Sequence, residues 1–147
     1  MKLVIDTNLL FSAVIKPDGQ IAEIIMNPKF ELQIIGCYFS HIELFKHKTK
    51  MLNASKLDET ELLEVMYQII KRVEFINEKT IPIEILKKAY NLCKGIDDKD
   101  TIFIAMAEFL NCKVWSGDIT LINGLRNKGY KNIINTKELL EIIFQKS

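Results

Sequence analysis

The opening stretch Lys2-Leu3-Val4-Ile5-Asp6-Thr7-Asn8-Leu9-Leu10 restricts the fold more than any other part of the chain. Leu3, Val4 and Ile5 are consecutive apolar residues, two of them β-branched, and such a run fits a short strand buried on both faces. A strand of that kind belongs in a parallel sheet covered by helices. The run stops at Asp6, and Thr7 and Asn8 can hydrogen-bond nearby backbone and turn the chain. In an open α/β sheet the ligand crevice lies outside the carboxyl ends of the strands. An acid that ends a central first strand is therefore aimed at the expected site. Aspartate is also a common helix N-cap, and on this stretch alone the two readings stand level.

The remaining chain alternates strand and helix signals. Pro17-Asp18-Gly19 is turn chemistry, and Ile21 to Met26 reads as a short helix stopped by Asn27-Pro28. Phe30 to Ile35 alternates apolar and polar residues before Gly36, which predicts a second strand. Ser40-His41-Ile42-Glu43 has capping-box spacing, with Ser40 as cap and Glu43 reaching back to its backbone. The helix it opens carries Leu44, Phe45, Met51 and Leu52 and the basic run from Lys46 to Lys50. Asp58 to Glu61 starts another helix, whose Leu62, Leu63, Val65, Met66, Ile69 and Ile70 form a broad apolar face. Val73 to Ile76 is a third strand; Pro82 then introduces a helix from Ile83 to Cys93 that Gly95 closes.

Gly95-Ile96-Asp97-Asp98-Lys99-Asp100-Thr101 gathers acids just ahead of Ile102-Phe103-Ile104-Ala105-Met106-Ala107, a helix too uniformly apolar for the surface. Lys113 to Ser116 is a fourth strand ending at Gly117-Asp118, with a short helix through Leu125 and a stop at Gly129. Asn132 to Ile134 is a fifth short strand, and Asn135-Thr136-Lys137-Glu138 opens the last helix. This alternation predicts an α/β protein, a three-layer α/β/α sandwich around a central parallel sheet of about five strands. At 147 residues the chain fits one domain, residues 1–147.

Composition narrows the setting. The chain is 48% hydrophobic and 27% charged, ordinary for a soluble globular protein, and no apolar run approaches the ~18 residues of a membrane span. Asp6 falls where the apolar region of a secretory leader would lie. Cys37, Cys93 and Cys112 lack C-x-x-C spacing, which argues for buried thiols in a reducing cytoplasm. His41 and His47 do not make an H-E-x-x-H metal pair.

Asp6 and Asp118 stand at the ends of strands one and four, which would be neighbours in such a sheet. Asp100 begins the helix leading into strand four, and Glu43 follows strand two. Carboxylates gathered without partners repel one another or take up protons. Divalent Mg²⁺ or Mn²⁺ removes that conflict, since both prefer hard oxygen ligands. Setting these four acids aside from the 19 leaves 15 against 20 basic residues, a mildly basic body that suits a phosphate-bearing partner. Each acid has a plainer explanation. Asp118 could cap the next helix, Glu43 could serve only its capping box, and Asp97, Asp98 and Asp100 could offset a helix N-terminus. The Lys46–Lys50 run could be a solvated face.

The order strand-end Asp, helical Glu, helix-start Asp, strand-end Asp resembles the PIN-domain family, which includes the VapC-type toxin ribonucleases. The resemblance covers nearly the whole chain. It rests on Val4-Ile5-Asp6-Thr7-Asn8, Ser40-His41-Ile42-Glu43-Leu44, Asp97-Asp98-Lys99-Asp100 through Phe103 and Ala107, and Trp115-Ser116-Gly117-Asp118. It implies that Asp6, Glu43, Asp100 and Asp118 are the catalytic, metal-holding acids, and that Asn8 and Ser116 position ligands or water. Ser116 stands where the family often has Thr, which keeps the hydroxyl. Asp97 and Asp98 crowd the third motif; Asp100 is preferred for its spacing to Phe103 and Ala107, with Asp97 in support.

The resulting expectation is a Mg²⁺- or Mn²⁺-dependent endoribonuclease acting on single-stranded or looped RNA. Lys46, Lys48, Lys50, Arg126 and Lys128 are the candidate phosphate contacts. Toxin–antitoxin pairing is the commonest control in the family resembled, so the partners considered are RNA, an antitoxin protein and a second copy of the chain, with no membrane. Two rivals stand beside this reading. One is a PIN-like module that binds RNA or protein without cutting, which would not need four intact acids. The other is a metal-dependent phosphatase, but the D-x-D-x-T nucleophile arrangement is absent because Thr7-Asn8 follow Asp6.

Overall fold

A computed structural model describes residues 1–145; the last two residues of the expected domain lie outside the described residues. Among the described residues, five strands form one parallel sheet: β1 (Lys2–Ile5), β2 (Gln33–Cys37), β3 (Val73–Ile76), β4 (Lys113–Trp115) and β5 (Ile133–Ile134). Their order across the sheet is β3-β2-β1-β4-β5, with every pairing parallel.

Alternation along each strand feeds two separate cores. Leu3, Ile5, Ile34, Trp115 and Ile134 point to one face, and Val4, Ile35, Val114 and Ile133 to the other. The first face is covered by α1 (Thr7–Ile15), α2 (Gln20–Met26), α3 (Tyr38–Lys46), α4 (Lys48–Ala54) and α5 (Glu59–Lys71), joined at the end by α9 (Thr136–Gln145). The second face is covered by α6 (Ile83–Cys93), α7 (Thr101–Leu110) and α8 (Ile119–Asn127). The consecutive buried residues Phe103 to Ala107 show why α7 is apolar nearly all round. It packs on the sheet at β1 and β4 and against α6, so it has little free surface.

The chain adds β2 and β3 on one side of β1, then returns to add β4 and β5 on the other. Crossovers of one hand therefore place the helices of each half on opposite faces. The reversal leaves a crevice between β1 and β4 at their carboxyl ends, the usual ligand position in such sheets.

Three local expectations change. The second strand begins at Gln33 and runs through Gly36, because Phe30 lies in a 3₁₀ turn, Pro28–Phe30, that ends at the left-handed Glu31. Gly36 is needed inside the strand: a Cβ there would lie 2.8 Å from Cε1 of Phe75 on the neighbouring strand. The expected helix after Ser40 is two helices, α3 and α4, broken at His47, where φ is −101° and ψ is 23°.

The Ser40–Glu43 capping box does not form, since α3 starts earlier, at Tyr38. Ser40 is buried, with its hydroxyl 2.7 Å from that of Thr7. The carboxylate of Glu78, from the loop after β3, accepts instead from the N–H groups of Tyr38 (2.9 Å) and Phe39 (3.3 Å). A capping box does form at Asp58 and Glu61, opening α5.

Candidate active site

The pairing of β1 with β4 builds the centre of the site. Ile5 lies opposite Trp115, and the N–H of Asp6 donates to the carbonyl of Trp115 at 3.2 Å. Asp6 and Ser116 therefore meet at the mouth of the crevice, both buried. Asp6 Oδ1 accepts from the N–H of Leu9 (2.9 Å) as the N-cap of α1. Asp118 does the same for α8, accepting from Leu121 at 3.1 Å, while its own N–H donates to the Ser116 hydroxyl at 3.1 Å. Capping and site chemistry are thus not alternatives at these positions. Each cap contact engages one carboxylate oxygen, and the N-terminal dipole of the helix favours keeping the acid charged.

The third and fourth acids arrive from the loop before α7. Asp97 caps the 3₁₀ turn Asp98–Asp100, accepting from Lys99 N–H at 3.0 Å. The turn brings Asp97 and Asp100 to Asp118, with one carboxylate oxygen of each within 4.8 Å of the others. Asp98 lies outside this trio.

The loop is held from below by α8. Lys128 Nζ donates to the carbonyls of Leu92 (2.8 Å), Lys94 (2.7 Å) and Asn91 (3.5 Å) at the end of α6. Ile96 lies against Gly124, where a Cβ would come within 2.7 Å of its Cδ1. Gly95, at φ +82°, makes the turn between these two anchors.

Electrostatically the trio is frustrated. Burial, then the charges of Asp97, Asp6 and Asp118 together with a hydrogen bond that protonated Asp100 donates to Asp97, push Asp100 up to about 7. Burial also raises Asp6, although the Ser116 hydroxyl and the N–H groups of Leu9, Gly117 and Asn8 pull it down. Among the described residues, no basic side chain forms an ion pair with the trio. Hard carboxylate oxygens this close suit a divalent cation with oxygen preference, which would relieve their mutual repulsion. The donor set therefore fits Mg²⁺ or Mn²⁺.

Glu43 is not brought into the trio. Its Oε2 lies 2.7 Å from His47 Nε2 and its Oε1 3.9 Å from Lys46 Nζ. Asn8 is exposed on the first turn of α1. Of the basic candidates, Lys50 is exposed, and Lys48 makes a partly exposed pair with Glu59 at 3.1 Å. Arg126 is committed elsewhere: it donates to both Glu138 oxygens (2.9 and 2.8 Å) and to the carbonyl of Ile133 (3.0 Å). Lys128 is likewise spent on the end of α6. Reading the sequence missed Glu78 and His47. Glu78 carries no local signal, because its partner is an N-terminus some 40 residues away, whereas the His47 contact with Glu43 follows from their four-residue spacing.

The pattern of the PIN domain matches residues 4–140. No curated protein sequence matches the chain. Among solved structures, VapBC2 from Rickettsia felis, bound to a DNA fragment from its promoter, superposes with a TM-score of 0.68 at 15% identity, covering 92% of this chain and 98% of that one. PAE2754 from Pyrobaculum aerophilum gives 0.67 at 14% identity, covering 99% and 90%. At such identities the likeness is one of fold.

Proposed function

The chain belongs to the PIN-domain family, and on that premise we propose that it is a Mg²⁺- or Mn²⁺-dependent endoribonuclease, with residues 1–147 forming one such domain. The observation that carries this reading is the close approach of Asp97, Asp100 and Asp118 beside buried Asp6 at the β1–β4 crevice. A cation bound there would supply positive charge to a scissile phosphate and make water a better nucleophile.

The chain's own residues do the rest. Asp97, Asp100 and Asp118 would hold the cation, and Asp6 would anchor the floor of the site from the sheet. Ser116 links Asp6 to the backbone of Asp118 and so fixes their separation. Asp100 and Asp97 lie close enough to share a proton, and a divalent cation bound there would relieve the same repulsion. Lys46, Lys48 and Lys50 remain as phosphate contacts, because exposed ion pairs are weak enough for a phosphate to displace. Arg126 and Lys128 serve the scaffold. Asn8, at the exposed first turn of α1, orients water or substrate.

Purified protein should cleave a mixed RNA pool when Mg²⁺ or Mn²⁺ is added, and chelation or Asp100→Asn should stop it. Metal binding without cleavage of any RNA would favour the non-catalytic binding module instead. Membership of the family and the likeness to VapBC2 favour a toxin restrained by an antitoxin partner, which would act in the cytoplasm. Expression of the chain alone should then arrest growth, while Asp100→Asn should be harmless. High-level accumulation without effect on growth or RNA integrity would remove the toxin role.

A further inference from the structure

Helix α6 buries one face and leaves a second, partly apolar stripe uncovered. Ala89 and Cys93 are buried in the core, as a helix lying on a sheet requires. Ile83, Leu86, Lys87, Tyr90 and Asn91 recur at the i, i+3, i+4, i+7 and i+8 spacing of a single helix face. Ile83 is 57% exposed and Tyr90 46%. Isolated exposed apolar side chains are ordinary and need no purpose. These are not isolated: with Thr101 they line one groove of about 490 Å³ between α6 and the start of α7.

One end of the groove adjoins the acidic site. Thr101 follows Asp100 directly, so a lining residue and a member of the trio are chain neighbours. At the same end Lys128 Nζ donates to the carbonyls of Asn91 and Leu92, beneath the loop that carries the acids. Burial pushes the nearby Cys93 thiol up, the Thr101 hydroxyl pulls it back, and the charges of Asp100 and Asp97 push it up again. The end of α6 therefore lies within the electrostatic reach of the trio.

The lining chemistry selects the occupant. Tyr90 offers a half-exposed ring for stacking, Ile83 and Leu86 an apolar floor, and Asn91 an amide able to donate and accept at a base edge. Lys87 makes no ion pair among the described residues and adds positive charge for a phosphate backbone. A purely apolar partner would leave Lys87 and Asn91 unused.

We propose that this groove is a nucleobase subsite, in which Tyr90 stacks on an unpaired base adjoining the phosphate held at the acidic site. The proposal rests on the ribonuclease reading above and gives that site a means of choosing single-stranded over paired RNA. A base locked in a duplex offers no free face to an aromatic side chain.

The test uses the whole protein and a short single-stranded oligoribonucleotide in which 2-aminopurine, or an abasic residue, is moved through each position. Rapid mixing with Mn²⁺, read before cleavage, should quench 2-aminopurine at one position beside the cut. Tyr90→Ala should abolish that quenching and raise KM about tenfold with little change in kcat, the pattern of lost uniform binding. Tyr90→Phe should keep both, whereas Tyr90→Leu, which has apolar bulk but no ring, should behave like Tyr90→Ala. An abasic residue at the quenched position should raise KM about tenfold for the wild type and hardly at all for Tyr90→Ala.

Unchanged quenching and KM in Tyr90→Ala, wild-type behaviour of Tyr90→Leu, or an abasic penalty that adds in full to the variant's, overturns the subsite. A wild type that neither binds nor cuts RNA overturns the ribonuclease reading and the subsite with it. The two failures are distinct, because the first is seen only when the wild type cuts RNA.

Discussion

Two acidic groupings stand on neighbouring strand ends and have opposite fates. After β5, Asn135 and Glu138 form a complete capping box, with the N–H of Asn135 donating to Glu138 (3.0 Å) and the N–H of Glu138 to Asn135 (2.8 Å). Arg126 adds two further bonds, and these contacts hold Glu138 below the usual carboxylate range. After β4, Asp118 meets Asp97 and Asp100 with no ion pair to a basic side chain among the described residues, and Asp100 is pushed up to about 7. The same chemical group is satisfied in one place and frustrated in the other. Unrelieved charge inside a crevice marks a site shaped for a ligand, whereas a satisfied charge marks scaffold.

The largest break in that contrast should come from the frustrated side. Asp100→Asn and Asp118→Asn should each lower RNA cleavage by at least about 100-fold, the scale of losing a group that acts on the reacting centre, and abolish the Mn²⁺-induced rise in melting temperature. Without metal, Asp100→Asn should melt above the wild type, because it removes repulsion. Wild-type Mn²⁺ response in both variants would sink the site as drawn.

The satisfied side should respond the other way. Arg126→Ala removes its bonds to Glu138 and Ile133, and should cost about 1 kcal/mol, discounted for partial exposure. Urea unfolding measures this loss. The Mn²⁺ midpoint should stay put, and a shift would mean that Arg126 reaches the site after all.

pH sharpens the comparison further, since the two groupings titrate in opposite senses. Asp100 has a raised pKa in the fold, so its contribution is fully present below its unfolded value of 3.8 and is lost as pH rises through about 7. Glu138 has a lowered pKa, so its contribution is present above its unfolded value of 4.5 and is lost as pH falls below that. Metal-free protein should therefore melt highest in mildly acidic solution. Asp100→Asn should flatten the loss on the neutral side, and Glu138→Gln the loss on the acid side. A melting temperature that climbs steadily from pH 5 to 8 would contradict the frustrated-site description.

The smallest expected change is in stability at Glu43. Its partners are partly exposed, so Glu43→Gln should alter unfolding free energy by a few tenths of a kcal/mol while lowering cleavage severely. Wild-type cleavage by this variant would remove Glu43 from the reaction.

The parallel architecture was legible because its signals are local. Three apolar residues before Asp6, acids ahead of the uniformly apolar Ile102–Ala107, and turn residues between runs each reflect a burial demand met within one element. Pro82 and Gly95 bounded α6 correctly for the same reason, since each imposes its own backbone geometry on its neighbours. The acids at strand ends could be read as well, because a parallel strand delivers whatever follows it to one edge of the sheet. Tertiary structure alone decided which partner each polar group found. Ser40 carried a legitimate cap signal, yet Glu78 reached the N-terminus of α3 from the loop after β3 and Ser40 turned inward to Thr7. Arg126 and Lys128 looked like free cations until packing set them beside Glu138 and the carbonyls ending α6. Asp97, and not Asp98, joined Asp100 and Asp118 because the 3₁₀ turn aims it into the crevice. Burial pattern repeats along the chain and can be read one residue at a time. A hydrogen bond or ion pair needs a second group, and where that group comes from is set only when distant segments meet.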